Sequence, residues 1–181
     1  KDVQPYFIHD IDSYKIVFVD GKYASHLSQT THDGIDICLM SYALEKPKYR
    51  SVIENYFNKI AEQNSLTSLN TAFVNEGAYI HITKNKLVEK PIQIIHFSTG
   101  NEAALLLQPR NLIVVDENAQ VQIIERHQSL TSNPTLTNCV TEIFAAKRGI
   151  IDYYKVQNDR QNASLIDSTY IDQGRESHVS V

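Results

Sequence analysis

Three histidines in the middle of the chain have the residue type and the setting of metal ligands. His81, His96 and His127 each lie within or just after a short run of branched apolar residues, a pattern that predicts β-strands. Stacked strands lie roughly 4.8 Å apart, so they can bring such residues together. A transition-metal site needs roughly two to four converging His, Cys or carboxylate ligands. The spacing in the sequence does not establish convergence, and three partly exposed strand residues are the alternative.

Three aspartates near the end of the sequence indicate a different chemistry. Asp152, Asp167 and Asp172 lie in or beside predicted strands. Many β-helix enzymes act on acidic polysaccharides with carboxylates aligned along one face, where paired carboxylates carry out general acid–base catalysis. Exposed acidic residues also commonly keep a sheet solvated, and no export signal is visible in the sequence. A polysaccharide-active enzyme using this row of carboxylates is therefore an alternative function.

The two cysteines form no recognisable redox or metal motif. Cys38 and Cys139 are far apart, and the chain has no CxxC pair. Two cysteines also make no disulfide framework. We expect two buried, reduced thiols, as is usual in a protein of the cytoplasm.

Composition and charge exclude two classes of partner. The formal net charge is −4, and the Lys and Arg residues are scattered along the chain. A nucleic-acid groove needs a basic patch, which this distribution does not provide. No stretch approaches the roughly 20 apolar residues of a membrane span. We therefore expect neither nucleic acid nor a membrane as a partner.

Two helices are predicted ahead of these strands. The segment from Pro47 to Ala61 begins with a proline suited to the first helical turn. Its apolar residues recur three and four positions apart and form one stripe, which indicates a helix that faces the core and not a cofactor site. Asn64 or Ser65 can cap a second helix, which ends by Gly77.

The remainder of the chain predicts short strands. Tyr14–Leu27 places one strand on each side of Asp20-Gly21, a strong hairpin turn. Leu112–Val115 is apolar on both faces, so we expect both faces to be covered. The irregular spacing fits either a solenoid with loop insertions or an antiparallel sandwich. The predicted strands after Gly77 are Tyr79–Thr83, Ile92–Phe97, Ala104–Leu107, Leu112–Val115, Val121–Ile124, Asn138–Ala145, Ile150–Gln157 and Ser164–Ile171.

Four elements in order resemble one protein family. They are VFVDGKY at 17–23, LNTAF at 69–73, the Lys90-Pro91-Ile92 strand start, and the stretch from Arg110 to His127. Together they resemble the SufB/SufD family of iron–sulfur cluster assembly scaffolds, and most of all its SufD branch. The resemblance spans nearly the whole chain, and it favours the solenoid over the sandwich.

The resemblance implies a right-handed parallel β-helix (solenoid) preceded by a small α/β region. Because helical spacing stops and short strands begin near Asn75, we expect residues 1–75 to form the N-terminal region and 76–181 the first part of the β-helix. The resemblance also implies a non-catalytic scaffold in the cytoplasm that works with a SufB-like protein and a SufC-type ATPase. An iron–sulfur cluster would be present transiently on that complex. The chain begins at Lys1 and stops within an apolar–polar alternation, so we expect a piece of a longer protein.

An open strand edge at Val181 predicts self-association through that edge or through the curved face, for instance as a homodimer. No functional residue transfers from the family, because its Cys-Ser-His-Gly element is absent here. Cys139 lies in Asn-Cys-Val and His178 in Ser-His-Val. The resemblance therefore implies no catalytic, cofactor-binding or metal-binding residue, and no resident cofactor, within this chain.

Overall fold

Two mostly parallel β-sheets face each other, and the chain passes repeatedly from one to the other. The computed structural model describes residues 2–8, 11–32, 34–73, 76–100 and 104–181. In these ranges the chain forms a β-solenoid of about three turns, as the resemblance implied. The strands are β1 (Tyr14–Val19), β2 (Lys22–Tyr23), β3 (Thr31–His32), β4 (Ile35–Leu39), β5 (Ala78–Ile82), β6 (Ile92–Ser98), β7 (Leu105–Leu107), β8 (Arg110–Val115), β9 (Gln120–Ser129), β10 (Thr135–Ala145), β11 (Ile150–Asn158), β12 (Ala163–Gln173) and β13 (His178–Ser180).

The strand order shows how the coils stack. One sheet has the order β13-β11-β9-β6-β1-β2 and the other has the order β12-β10-β8-β5-β4-β3, with β7 pairing with β10. Tyr79 pairs with Leu112 of the next coil, an offset of 33 residues, whereas Thr135 pairs with Ala163, an offset of 28. Coils of unequal length explain why the sequence has strands at irregular intervals and no exact repeat.

The stretch from Arg110 to His127, which contains β8 and most of β9, forms a corner of the solenoid. β8 lies in one sheet and β9 in the other, so the turn between them joins two sheets. Asn118 takes a φ of 58° there, a left-handed conformation that asparagine tolerates. Every residue of β8 is buried, which confirms the prediction that both of its faces are covered. Ile113 and Val115 pack inside the solenoid, and Leu112 and Val114 pack against the helices.

The predicted hairpin is present near the start of the chain. Phe18 pairs with Tyr23 in antiparallel fashion across Asp20 and Gly21. These two turn residues have φ values of 50° and 74°, which a two-residue turn of this kind requires. β1 then continues the solenoid by pairing in parallel with β6.

The helices cover the outer face of one sheet. They are α1 (Met40–Glu45), α2 (Arg50–Tyr56) and α3 (Ser65–Ala72). Asn64 caps α3 as predicted, accepting hydrogen bonds from the backbone N–H groups of Leu66 and Thr67. Helix α1 was not predicted. The predicted helix from Pro47 to Ala61 is too long, since a 3-10 turn comes first and α2 ends at Tyr56.

A carboxylate from the solenoid explains this early helix end. The backbone N–H groups of residues 58–61 donate to the side chain of Glu142 at distances of 2.7 to 3.2 Å. A helix would instead send these donors to its own carbonyl groups. The competing acceptor lies about 80 residues further along the chain, so the local apolar stripe carries no sign of it.

The strands of the first 73 residues extend the sheets of the solenoid. β1 and β2 lie at one end of the first sheet, and β3 and β4 at the corresponding end of the second. β4 runs antiparallel to β5, whereas the later neighbours run parallel. Residue 75, where the predicted N-terminal region ends, lies outside the described residues. The division at that point stays a prediction.

Candidate functional site

Toward one end of its strands the solenoid interior changes from apolar to polar. Side chains two residues apart on a strand share a face, so Ile92 and Ile94 of β6 point inward with His96. On β9, Val121 and Ile123 are followed by Glu125 and His127 in the same way. The interior polar cluster, as we define it, consists of His96, Asn111, Glu125, His127, Cys139, Thr141, Tyr153 and Lys155.

Glu125 lies at the centre of this cluster and is fully buried. Its Oε1 atom accepts hydrogen bonds from Asn111 Nδ2 at 3.0 Å and from Cys139 Sγ at 3.3 Å. The Tyr153 hydroxyl donates to Oε2, and Lys155 Nζ lies 3.5 Å from the same atom. A buried carboxylate with this many donors is held in its ionised form.

The two histidines lie side by side on adjacent strands. His96 and His127 are direct register partners, and their rings stack with centroids 4.7 Å apart. Phe18 stacks on the other face of His96 at 5.1 Å. The Nε2 atoms lie 3.5 Å (His96) and 3.3 Å (His127) from Glu125 Oε1. Both of these buried nitrogen atoms face that oxygen, but neither makes a well-formed hydrogen bond within the described residues.

The surroundings determine the charge of each group. Burial would raise the pKa of Glu125, but the imidazoles of His127 and His96 and the ammonium of Lys155 outweigh it and hold the pKa well below its usual range. Burial lowers the pKa of His96, so its imidazole is neutral near pH 7. Burial, and then the negative charge of Glu125, raise the pKa of the Cys139 thiol. The cluster therefore holds a carboxylate, a neutral imidazole and a protonated thiol.

The structure unites two of the three histidines considered as metal ligands. His81 lies in the other sheet, where its Nε2 is 3.0 Å from Asp116 Oδ2. The third converging group is Glu125, which sequence reasoning missed. Its one local signal is its position two residues before His127, which places both side chains on one face of a strand.

A cavity of about 490 Å³ adjoins the cluster. His96 and Phe18 contribute to its wall, together with Asp20, Leu107 and Thr137. The cavity opens to the surface, so it provides a route by which a small ion or molecule can reach the imidazole of His96.

Comparison with known protein families covers nearly all of the chain. A family model for the SufBD protein N-terminal region matches residues 6–94, and one for the SufBD core domain of the SUF iron–sulfur cluster assembly system matches residues 96–181. The chain belongs to the SufBD family. This confirms the family expected from the four sequence elements.

Individual SufBD relatives show moderate identity. A SufBD family protein of Synechocystis is 26% identical over 181 residues, covering 95% of this chain and 40% of the relative. SufD of Bacillus subtilis is 30% identical over 116 residues, 61% of this chain and 26% of the relative. SufB of the same organism is 34% identical over 101 residues, 55% of this chain and 21% of the relative. The chain thus spans less than half the length of these SufBD proteins.

The row of carboxylates expected for a polysaccharide-active enzyme does not form in this SufBD chain. Asp167 points into the solenoid and pairs with Lys155. Asp172 lies five residues further along β12 and therefore on the opposite face. Asp152 is on β11 in the other sheet, where it accepts a hydrogen bond from Gln122 at 3.4 Å.

No helix in the described ranges is long and apolar enough to cross a bilayer.

Both cysteines are free thiols in separate surroundings. Cys139 is buried inside the solenoid as expected, whereas Cys38 is only half-buried beneath the helices, so the expectation of two buried thiols is wrong for Cys38. Burial raises the pKa of Cys38 to about 11. Its thiolate fraction near pH 8 is then roughly a hundredfold below that of a free cysteine.

We therefore expect both thiols to react slowly with Ellman's reagent in the native protein. Cys38 should react detectably but slowly, and Cys139 should not react until the solenoid opens. Both should react at once in concentrated guanidinium. A Cys38→Ser variant assigns the residual native signal. Fast native labelling of that variant would show that the interior polar cluster is accessible to large reagents, contrary to its burial.

Proposed function

We propose that the chain is a SufD-type, non-catalytic scaffold of the SUF iron–sulfur cluster assembly system. It would work in the cytoplasm with a SufB-like protein and a SufC-type ATPase, and the iron–sulfur cluster would be transient cargo of that complex. The observation that carries the proposal is the consecutive match of the SufBD N-terminal and core family models along residues 6–94 and 96–181. The SufD type rests on the resemblance of the four sequence elements; the alignment with SufD of Bacillus subtilis is longer, and that with SufB has the higher identity.

The architecture suits a subunit that transmits mechanical force. Each coil of the solenoid hydrogen-bonds to its neighbours, so a force on one coil is passed to the next. The helical layer is fixed to this body through Glu142, whose buried carboxylate accepts hydrogen bonds from the backbone N–H groups of residues 58–61, just after α2. Arg110 of the adjacent strand holds that carboxylate in place, with Nη2 2.6 Å from Glu142 Oε2. A subunit driven by an ATPase needs this stiffness to transmit movement to a shared interface.

Purification from native cells tests the proposal. The protein is tagged at its genomic locus, recovered gently, and its companions are identified by mass spectrometry. We expect a SufB-like protein and an ATPase of the SufC kind, in constant ratio across a sizing column. Reciprocal tagging of the SufB-like protein and an untagged strain are the controls.

Two results would contradict the scaffold proposal. Recovery of the protein alone in both directions would remove its proposed partners. Cleavage of a polysaccharide or other small substrate by the purified protein would remove its non-catalytic character. A SufC-type ATPase recovered with two copies of this protein, and no second solenoid protein, would replace the SufD assignment with a SufB-like one.

A further inference from the structure

We propose that His96, Glu125 and His127 form a binding site inside the solenoid for a divalent transition-metal ion such as Zn²⁺ or Fe²⁺. Two imidazoles and a carboxylate are a ligand set that suits both ions. The family comparisons assign no such site, and the inference does not depend on the proposed partners.

The distances fit one shared ion. A tetrahedral ion with bonds of about 2.1 Å holds its ligand atoms roughly 3.4 Å apart. The Nε2 atoms of His96 and His127 lie 3.5 and 3.3 Å from Glu125 Oε1. All three ligand atoms lie within 4.8 Å of one another. Two of the three edges of the ligand triangle are therefore already at the length that a bound ion requires.

The third edge closes by a small movement of the rings. His96 and His127 are stacked with an interplanar angle of 12° and centroids 4.7 Å apart. A tilt of the two imidazoles toward each other brings their Nε2 atoms closer without moving either strand. Phe18 supports the outer face of His96, so the ring of His127 is expected to move more.

The buried nitrogen atoms point to an ion and not merely to packing. Both Nε2 atoms are buried, and in the described part of the chain neither makes a well-formed hydrogen bond, although both face Glu125 Oε1; a poorly satisfied buried polar atom is costly. A metal ion would satisfy both at once. The carboxylates of Glu125 and Asp167 face one ammonium, that of Lys155. The formal charge around the site is thus −1, which favours a cation.

Neighbouring groups orient the carboxylate of Glu125, as the hydrogen-bond partners of metal ligands commonly do. Asn111 and Tyr153 donate hydrogen bonds to the two oxygens of Glu125. Such partners fix the orientation of a ligand and commonly change metal affinity when they are removed. The cavity reaches the ring of His96 and so brings the route for an ion close to the site.

Metal titration of the purified chain, with any affinity tag removed, tests the site. The protein is stripped with chelator, and Zn²⁺ alone is added while heat and bound metal are measured. We expect one ion per chain. Co²⁺ in place of Zn²⁺ should give the intense visible absorption of a tetrahedral ion. Binding should raise the melting temperature of the chain, because the ligands converge in the folded state alone.

Three variants locate the ion. His127→Ala should weaken Zn²⁺ binding by roughly a hundredfold or more, beyond the effect of losing an outer partner. His96→Phe removes a ligand but preserves the aromatic stack on Phe18, so it stays informative if the first variant does not fold. His81→Ala is the matched control: it removes a half-buried strand histidine outside the site and should leave Zn²⁺ affinity unchanged.

Nuclear magnetic resonance of the unmodified chain gives an answer that needs no variant. Zn²⁺ should shift the imidazole signals of two of the seven histidines. Failure of Zn²⁺ and Co²⁺ to bind would overturn the proposal. So would equal binding by His96→Phe, or shifts confined to the other histidines. Any of these results would leave the scaffold proposal standing, since that proposal is tested by partners.

Discussion

Glu142→Gln is expected to lower the free energy of unfolding by about 3–5 kcal/mol, the usual cost of removing one partner of a buried ion pair. Glu142 and Arg110 are both fully buried, and Arg110 Nη2 lies 2.6 Å from Glu142 Oε2. The substitution preserves the shape of the side chain. It leaves the Arg110 guanidinium buried without a counter-charge, and that uncompensated charge is the main source of the loss.

The amide also keeps only one of the two acceptor oxygens of Glu142. Glu142 Oε2 accepts from Asn58 N at 2.7 Å, and Oε1 accepts from the backbone N–H groups of residues 59–61 at 2.9 to 3.2 Å. One end of a glutamine is an NH₂ group, which would meet donors and not acceptors. The segment after α2 should therefore detach, which adds local loosening of the helical layer to the global loss.

Urea unfolding followed by circular dichroism measures the loss, and hydrogen exchange at residues 58–61 measures the loosening. Glu54→Gln is the matched control. Glu54 pairs with Arg50 at 4.0 Å on the surface, with both side chains more than two-thirds exposed, so its loss should cost about 0.5 kcal/mol or less. Equal urea midpoints for Glu142→Gln and Glu54→Gln would show that the buried ion pair contributes no more to the free energy of unfolding than the surface pair does.

Val114→Asp is expected to destabilise the chain by about 4 kcal/mol or more, because it buries a carboxylate with no partner. Val114 is 1% exposed and packs on the outer face of its sheet, among Met40, Tyr79 and Phe144 under the helical layer. The charge would separate the helices from the solenoid. The interior between the sheets, where Ile113 and Val115 lie, would be affected less directly.

Val156→Asp makes the same chemical change at an exposed site. Val156 is 39% exposed on β11, so the charge stays hydrated and the cost should be about 0.5 kcal/mol or less. Thermal unfolding of the two variants and the parent chain compares them directly. A melting temperature for Val114→Asp near that of Val156→Asp would mean that the helical layer does not cover β8.

Much of the local structure could be predicted because its causes are local. The hairpin at Asp20-Gly21 and the cap at Asn64 depend on residues within three positions, and both are present. The length of α2 could not be predicted in the same way. Its stripe continues to Ile60, but the side chain that stops the helix comes from β10, far along the sequence.

The interior polar cluster shows the same limit more strongly. His96 and His127 meet because β6 and β9 pair with an offset of 31 residues. Neighbouring coils have other offsets, so the sequence does not show which residues face each other. A slip by one residue would turn His127 to the outside. Branched residues predict that a strand exists, whereas site geometry depends on register, which is set by packing of the whole solenoid.

The position of β1 has a consequence for how the chain folds during synthesis. Tyr14 pairs with Ile92, 78 residues later, although the other coils pair with partners about 30 residues away. Long-range pairings form slowly, because a long loop must close first. A nascent chain leaving the ribosome exposes β1 and β2 without their main partner until β6 has emerged. Chaperone binding during translation should therefore concentrate on the segment from β1 to β6, and should end once the first full coil is complete.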